Sequence, residues 1–305
     1  MQVFLTGATG YIGSAVAAAL LRAGHDVRGL ARSRAKAAEL QAAGVAAVLG
    51  ELSNPGTYAQ AAGACDAIVH AGFETGPRAA EVDRLALEAL LEAAQVSGRP
   101  KSLVYTSGVW VMGRHHGAPG TEEDPPAPLP IVSWRPAVET LALAAGGGRL
   151  ATAVVRPGCV YGGCGGLYGR MLQAAVEEHE VVLTGAGRNA WAAVYLDDLA
   201  DLYVRLVERH PDGIFHATDG SADPLAEVAE AFLEAAGGGA LVLRPLADAL
   251  REDGPFAEGL ALDQRVSSEK ARRELGWRPS LSSPANHAPA LLALWRAKAG
   301  PLSVS

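Results

Sequence analysis

The segment 3–13, V-F-L-T-G-A-T-G-Y-I-G, constrains the fold more than any other stretch of this chain. Val3, Phe4 and Leu5 are a short apolar run of the kind that makes a buried strand. Gly7, Gly10 and Gly13 follow at the spacing G-x-x-G-x-x-G. Residues 14–22 are then apolar and Ala-rich, and the run stops at Gly24. The order is strand, glycine turn, helix. Such a turn lets a pyrophosphate approach bare backbone and lie on the helix N-terminus, where unpaired N–H groups and the helix dipole favour an anion. Gly13 removes a side chain where helix and strand pack closely. A glycine motif alone is weak evidence; the strand before it and the helix after it give it meaning. Thr9, Tyr11 and Ile12 lie within the turn and join the three glycines as expected cofactor contacts.

The same alternation continues along the chain. Apolar runs at 25–31, 45–49, 67–71, 103–106 and 151–156 read as strands, and 34–43, 57–62 and 79–97 read as helices. Strands alternating with helices at this spacing predict an α/β fold of the doubly wound Rossmann type, a parallel sheet covered by helices on both faces. The chain has 305 residues, 49% of them hydrophobic, which supplies a core of that size. Its net charge of −7, with no basic run, argues against nucleic acid or an anionic membrane as partner. Cys65, Cys159 and Cys164 form no C-x-x-C pair, so neither a metal site nor a disulfide framework is expected, and a reducing compartment fits. The first strand begins at the N-terminus and no apolar run is long enough for a bilayer, so the expectation is a cytoplasmic protein without a leader.

The expected division is a dinucleotide-binding domain over 1–160, with segments near 190–218 returning to it. Residues 161–189 and 219–305 are expected to form a smaller substrate lobe. Short strands are predicted at 181–184, 214–218 and 241–244. The run 162–169 reads as a mobile glycine-rich connection, and 300–305 as a frayed tail. The Pro-rich loop 119–136 is too long for a plain connection and is expected to be a flap near the site. Pro136 places the next helix start close to Ser133.

Acid at the end of the second strand would hold a ribose 2′-hydroxyl; Arg32 stands there instead, with Lys36 close behind. Guanidinium donors suit a 2′-phosphate, which favours NADP over NAD. Glu51 and Leu52, after the third strand, are expected to flank the adenine. Ala71, Gly72 and Phe73, after the fourth, lie at the carboxyl edge where ligands bind in open α/β sheets.

Five motifs carry a resemblance: T-G-A-T-G-Y-I-G (6–13), Y-T-S-G (105–108), R-P-G-C-V-Y-G (156–162), V-Y-L-D-D-L-A (194–200) and S-S-E-K-A-R-R-E-L-G-W-R-P (267–279). Over nearly its whole length the chain resembles the extended short-chain dehydrogenases/reductases of the NAD-dependent epimerase/dehydratase type. The resemblance implies hydride transfer at a nicotinamide. It implies a Ser hydroxyl that polarises the substrate oxygen, and a Tyr and Lys that supply the proton and hold the ribose. Ser107 matches the Ser, with Thr106 beside it. With Glu139 as anchor, the Lys slot falls on Arg135 and the Tyr slot on Ile131. Isoleucine donates no proton, and arginine is not an interchangeable lysine. Tyr161 and Tyr195 are then the alternative phenols. Pro157, Gly158 and Val160 are implied cofactor neighbours; Trp110, Trp134, Asn189 and Trp191 are implied substrate neighbours. Asp197 and Asp198 read as a helix N-cap pair.

These readings imply oxidation or reduction of a small hydrophobic alcohol or carbonyl with NADP. Their rivals are a non-redox epimerase, dehydratase or cyclase and a nucleotide-sensing protein without turnover. The expected partner is a small-molecule substrate, and the chain is expected to be a monomer or a homodimer.

Overall fold

Apolar runs and turns fold as seven parallel strands: β1 (Gln2–Thr6), β2 (Asp26–Ala31), β3 (Ala46–Leu49), β4 (Ala67–His70), β5 (Lys101–Thr106), β6 (Leu150–Pro157) and β7 (Gly213–Ala217). The computed structural model describes residues 1–99 and 101–299, so the expected tail lies outside the described residues. The sheet order is β7-β6-β5-β4-β1-β2-β3. The winding reverses between β1 and β4, which opens a crevice at their carboxyl ends.

Alternate strand residues serve opposite faces. Val3, Leu5, Val69, Val104 and Val155 join one cluster with residues of helices Tyr11–Arg22 and Leu196–Arg209. Phe4, Ile68, Leu103, Tyr105 and Val154 join another with residues of helices Ala79–Val96 and Arg135–Ala144. Pro136 sits in the first turn of that last helix, as its missing N–H requires. A third cluster gathers Tyr161, Tyr168, Phe232 and Trp295 from the C-terminal half with helices Gly166–Glu177 and Leu225–Ala236.

Three expectations are corrected. The glycine-rich run over 162–169 is not all connection, because Gly166 opens helix Gly166–Glu177. Asp197 and Asp198 do not cap their helix. Tyr195 is the N-cap, and Asp198 Oδ2 accepts from the backbone N–H groups of Ser280 and Leu281 at 2.8 and 3.2 Å, tying down the C-terminal segment. The Pro-rich loop 119–136 is entered through an unexpected strand, His115–Gly120, which pairs with Gln264–Val266. H-H-G-A-P-G carries no strand signal; its partner lies far along the chain, and Gln264 Nε2 donates to the carbonyls of Val109 and Gly113 at 2.8 and 2.6 Å. Among the described residues no helix is long and apolar enough to cross a membrane.

Candidate functional site

A groove of about 300 Å³ follows the carboxyl ends of β1 to β4. Gly7, Thr9, Gly10, Tyr11, Ile12, Gly13, Arg32, Leu52, Ala71, Gly72 and Phe73 all line it. Gly7 has φ +73°, and a Cβ there would stand 2.5 Å from the Ala71 carbonyl oxygen. A Cβ on Gly13 would overlap the Gly7 carbonyl. Only bare backbone fits this cradle. Gly10 caps helix Tyr11–Arg22 without a side-chain bond, so the first N–H groups of the helix have no partner within it. Thr6 Oγ1 fastens the cradle: it accepts from Gly72 N at 3.0 Å and pairs with His70 Nδ1 at 2.7 Å. A phosphate-bearing dinucleotide matches this set of donors and this clearance.

Arg32 is exposed at the groove rim, at the end of β2. Lys36 and Glu51 are not among the groove-lining residues. Lys36 Nζ pairs with Glu39 Oε2 at 2.7 Å, and the Glu51 N–H donates to Thr57 Oγ1 at 3.3 Å.

Ile12 and Phe73 also line a second space of about 360 Å³, so groove and cavity are contiguous. Ser107 follows β5 into this cavity; Pro157 ends β6 there, and Gly158 and Val160 follow it. Trp110, Ile131, Trp134 and Arg135 form further walls. Ser107 Oγ is buried and has no hydrogen-bond partner among the described residues. Its backbone N–H donates to Val155 O at 2.8 Å, which fixes the residue against β6. A buried hydroxyl without a partner is costly, so this one is poised for a ligand.

Arg135 is placed by geometry as well as charge. Its Nη1 donates to Tyr105 OH at 3.3 Å and to Thr106 O at 3.2 Å. Its guanidinium carbon lies 4.6 Å from the Trp134 ring centre and 5.2 Å from that of Phe73. Behind it, Tyr105 OH donates to Asp83 Oδ2 at 2.6 Å; Asp83 Oδ1 stands 3.5 Å from His70 Nε2. A buried polar chain thus joins the cavity wall to the glycine cradle. The Tyr105 hydroxyl is held well above the usual phenol range, first by burial and then by the Asp83 charge.

Both alternative phenols stand elsewhere, a correction to their candidacy as proton donors. Tyr161 is fully buried and its hydroxyl donates to Asp219 Oδ2 at 2.8 Å; burial, then the Asp219 charge, pushes its pKa far up. Tyr195 OH donates to Asp197 Oδ2 at 3.4 Å, and the residue lines neither space. Thr106 Oγ1 bonds Tyr203 OH at 2.7 Å and turns away from the cavity. Asn189 and Trp191 do not line the Ser107 cavity either. Asn189 Nδ2 donates to the carbonyls of Leu260 and Leu262 at 3.1 and 3.0 Å, and Trp191 Nε1 to Leu260 O at 3.1 Å.

Sequence reasoning missed Cys159 and Phe256, which complete the cavity. Cys159 stood inside a quoted motif; burial pushes its thiol up to about 12, so it is a neutral wall. Phe256 has no local signal. Beneath the β6 end, Arg156 makes a paired contact with Glu139, Nε to Oε1 at 3.0 Å and Nη2 to Oε2 at 2.5 Å. Arg156 Nη1 donates to His216 Nε2 at 3.3 Å, and His216 Nδ1 donates to Ser267 O at 3.2 Å, which sets a neutral imidazole.

A switch-point groove over a glycine cradle, opening into an apolar cavity with one free hydroxyl, defines a Rossmann-type nucleotide-binding protein. The chain belongs to the NAD dependent epimerase/dehydratase family, whose model matches residues 3–217. It is 31% identical to the uncharacterized protein C2A9.02 of Schizosaccharomyces pombe, covering 93% of this chain and 96% of that one. It is 28% identical to a ketoreductase from Stigmatella aurantiaca, named for a farnesyl-bearing oxo-dihydroquinoline oxide, covering 91% and 92%. The fold matches a crystal structure of DesIV, a dTDP-glucose 4,6-dehydratase from Streptomyces venezuelae with NAD bound. The TM-score is 0.82 with 22% identity over 97% of each chain.

Proposed function

We propose that this chain is an NADP-dependent oxidoreductase that interconverts small hydrophobic carbonyl compounds and their alcohols. One observation carries the reading: the buried, unpartnered Ser107 hydroxyl in an apolar cavity contiguous with the glycine groove. The glycine cradle holds the pyrophosphate, and Arg32 takes the 2′-phosphate with paired donors. The nicotinamide, when bound, supplies or accepts the hydride. Ser107 donates a hydrogen bond to the substrate oxygen, and a water gives that oxygen its proton as the hydride adds to the carbonyl carbon, the hydroxide left behind being neutralised from solvent. Arg135, with Nη1 engaged by Tyr105 and Thr106, turns its remaining donors to the ribose and keeps positive charge beside the reacting oxygen. Trp110, Trp134 and Ile131 give the cavity apolar walls that favour an apolar substrate. Residues 161–189 and 219–305 act as the substrate lobe. The Stigmatella relative, named as reducing a farnesyl-bearing ketone, supports a carbonyl of this kind.

The test is loss of reduced-nicotinamide absorbance across a panel of apolar ketones and aldehydes. Turnover with NADPH, faster than with NADH, supports the reading; no turnover with either cofactor on any of them overturns it. A second reading rests on Ile131, which stands in the cavity with no phenol among its lining residues. In that reading NADPH binds tightly and no carbonyl is reduced.

A further inference from the structure

A second cavity, also of about 360 Å³, lies in the C-terminal half. Leu167, Met171 and Ala174 of helix Gly166–Glu177 form one wall; Leu183, Trp191 and Leu260 form others. Phe256 lines both this cavity and the one holding Ser107. Its ring meets Trp110 edge-on, with centres 5.9 Å apart. The bonds from Asn189 and Trp191 to the Leu260 carbonyl hold the short helix Phe256–Leu260 that carries it. The two spaces are therefore neighbours across one side chain whose support is fixed.

The charges of the second cavity decide what it accepts. Arg244 pairs through its two terminal nitrogens with Glu252 at 2.7 Å and with Asp253, so its charge is answered twice, and only its Nε is left buried without a partner among the described residues. Arg170 is exposed at the rim, where Glu178 and Glu180 are exposed as well. A diphosphate would meet as many carboxylates as guanidiniums there, and no uncompensated buried cation. An alkyl chain asks for none.

We propose that the two cavities are the head and tail subsites for one extended substrate, a carbonyl compound carrying a linear alkyl chain, with Phe256 as the threshold between them. The proposal rests on the oxidoreductase reading for its head group. Carbonyl oxygen meets Ser107; the chain passes Phe256 and buries its methylenes against Leu183, Met171 and Ala174. Joined, the spaces reach the range of pockets that enclose a whole ligand of that size.

Calorimetry of the NADP⁺-loaded protein with linear methyl ketones, from butanone to dodecanone, tests this without turnover. Affinity should rise by about fourfold per methylene, the effect of burying one CH₂, and continue to rise beyond the chain length that fills the Ser107 cavity. In Ala174→Phe, with folding checked by its thermal midpoint, the rise should stop at the shorter members. A wild-type series that levels off once the first cavity is full overturns the proposal. So does a slope in the folded variant equal to the wild type's, or tighter binding of a sugar nucleotide than of dodecanone. The same ketones serve as substrates in a parallel assay. Rising affinity without NADPH oxidation would defeat the oxidoreductase reading and leave the tail subsite standing. Reduction with flat affinity would do the reverse.

Discussion

The glycine groove and the Ser107 cavity share Ile12 and Phe73, yet they recognise by opposite means. The groove works by subtraction. Its cradle is backbone from one continuous turn, and side chains at Gly7 and Gly13 are excluded by neighbouring carbonyls. The cavity works by assembly. Ser107, Arg135, Pro157 and Phe256 come from four separate segments. A turn-built site tolerates change in its surroundings and almost none in its own residues. An assembled site is exposed to change in every element that supports it.

The largest effect should separate the two regions outright. Ser107→Ala should lower kcat by roughly 10²–10³-fold, the loss seen when one stabilising donor is removed, while calorimetry finds NADPH binding unchanged. A parallel loss of cofactor affinity would mean that Ser107 belongs to the groove. Next, Gly13→Val forces a side chain into the Gly7 carbonyl. Overpacking of this kind costs about 3 kcal/mol, or roughly a hundredfold in the Kd for NADP. Titration of the folded variant checks it, and undiminished binding would deny the cradle its role.

Arg32→Ala sharpens the comparison within the groove. Loss of charge-assisted bonds to a 2′-phosphate should weaken NADPH by about 2 kcal/mol, near thirtyfold, and leave NADH where it was. Equal weakening of both would make Arg32 a general anion contact.

The mildest effect, step for step, is set by pH on the cavity side. Burial, followed by the Arg156 and Lys270 charges, pulls His216 from its ordinary 6.5 down to about 3. Between those values the unfolded chain holds a proton that the folded chain does not, so stability falls as pH falls. This group should contribute at most about 1.4 kcal/mol of loss per pH unit, and nothing above its ordinary range. Urea unfolding over a pH series should show a shallower acid slope in His216→Gln than in wild type. Matching slopes would mean that His216 takes up its proton in the fold.

Legibility followed the same contrast. The groove could be read because its determinants are local: a strand, three glycines and a helix within one short stretch. Arg32 was readable from its place at the end of β2. Lys36 carries the right chemistry but its ammonium is turned to Glu39, a local pairing that spacing does not reveal, and Glu51 lies outside the groove lining. In the cavity, Ser107 and Trp110 were within reach of a motif. Tyr161 and Tyr195 were suggested by motif position, but tertiary packing takes the Tyr161 hydroxyl to Asp219 and a local turn takes that of Tyr195 to Asp197. Phe256 was invisible because contacts far apart in sequence bring it to the cavity, those of Asn189 and Trp191 with Leu260 and its own with Trp110. Asn189 and Trp191 were expected to face substrate; neither lines the Ser107 cavity, and Trp191 lines the C-terminal cavity instead.

The most direct measurement follows the hydride itself. NADPH deuterated at the transferring position of its nicotinamide would be incubated with the protein and an apolar methyl ketone, and the product analysed by mass spectrometry. The account predicts deuterium on the carbinol carbon, and loss of product in Ser107→Ala. Unchanged ketone with the label still on the cofactor would contradict it.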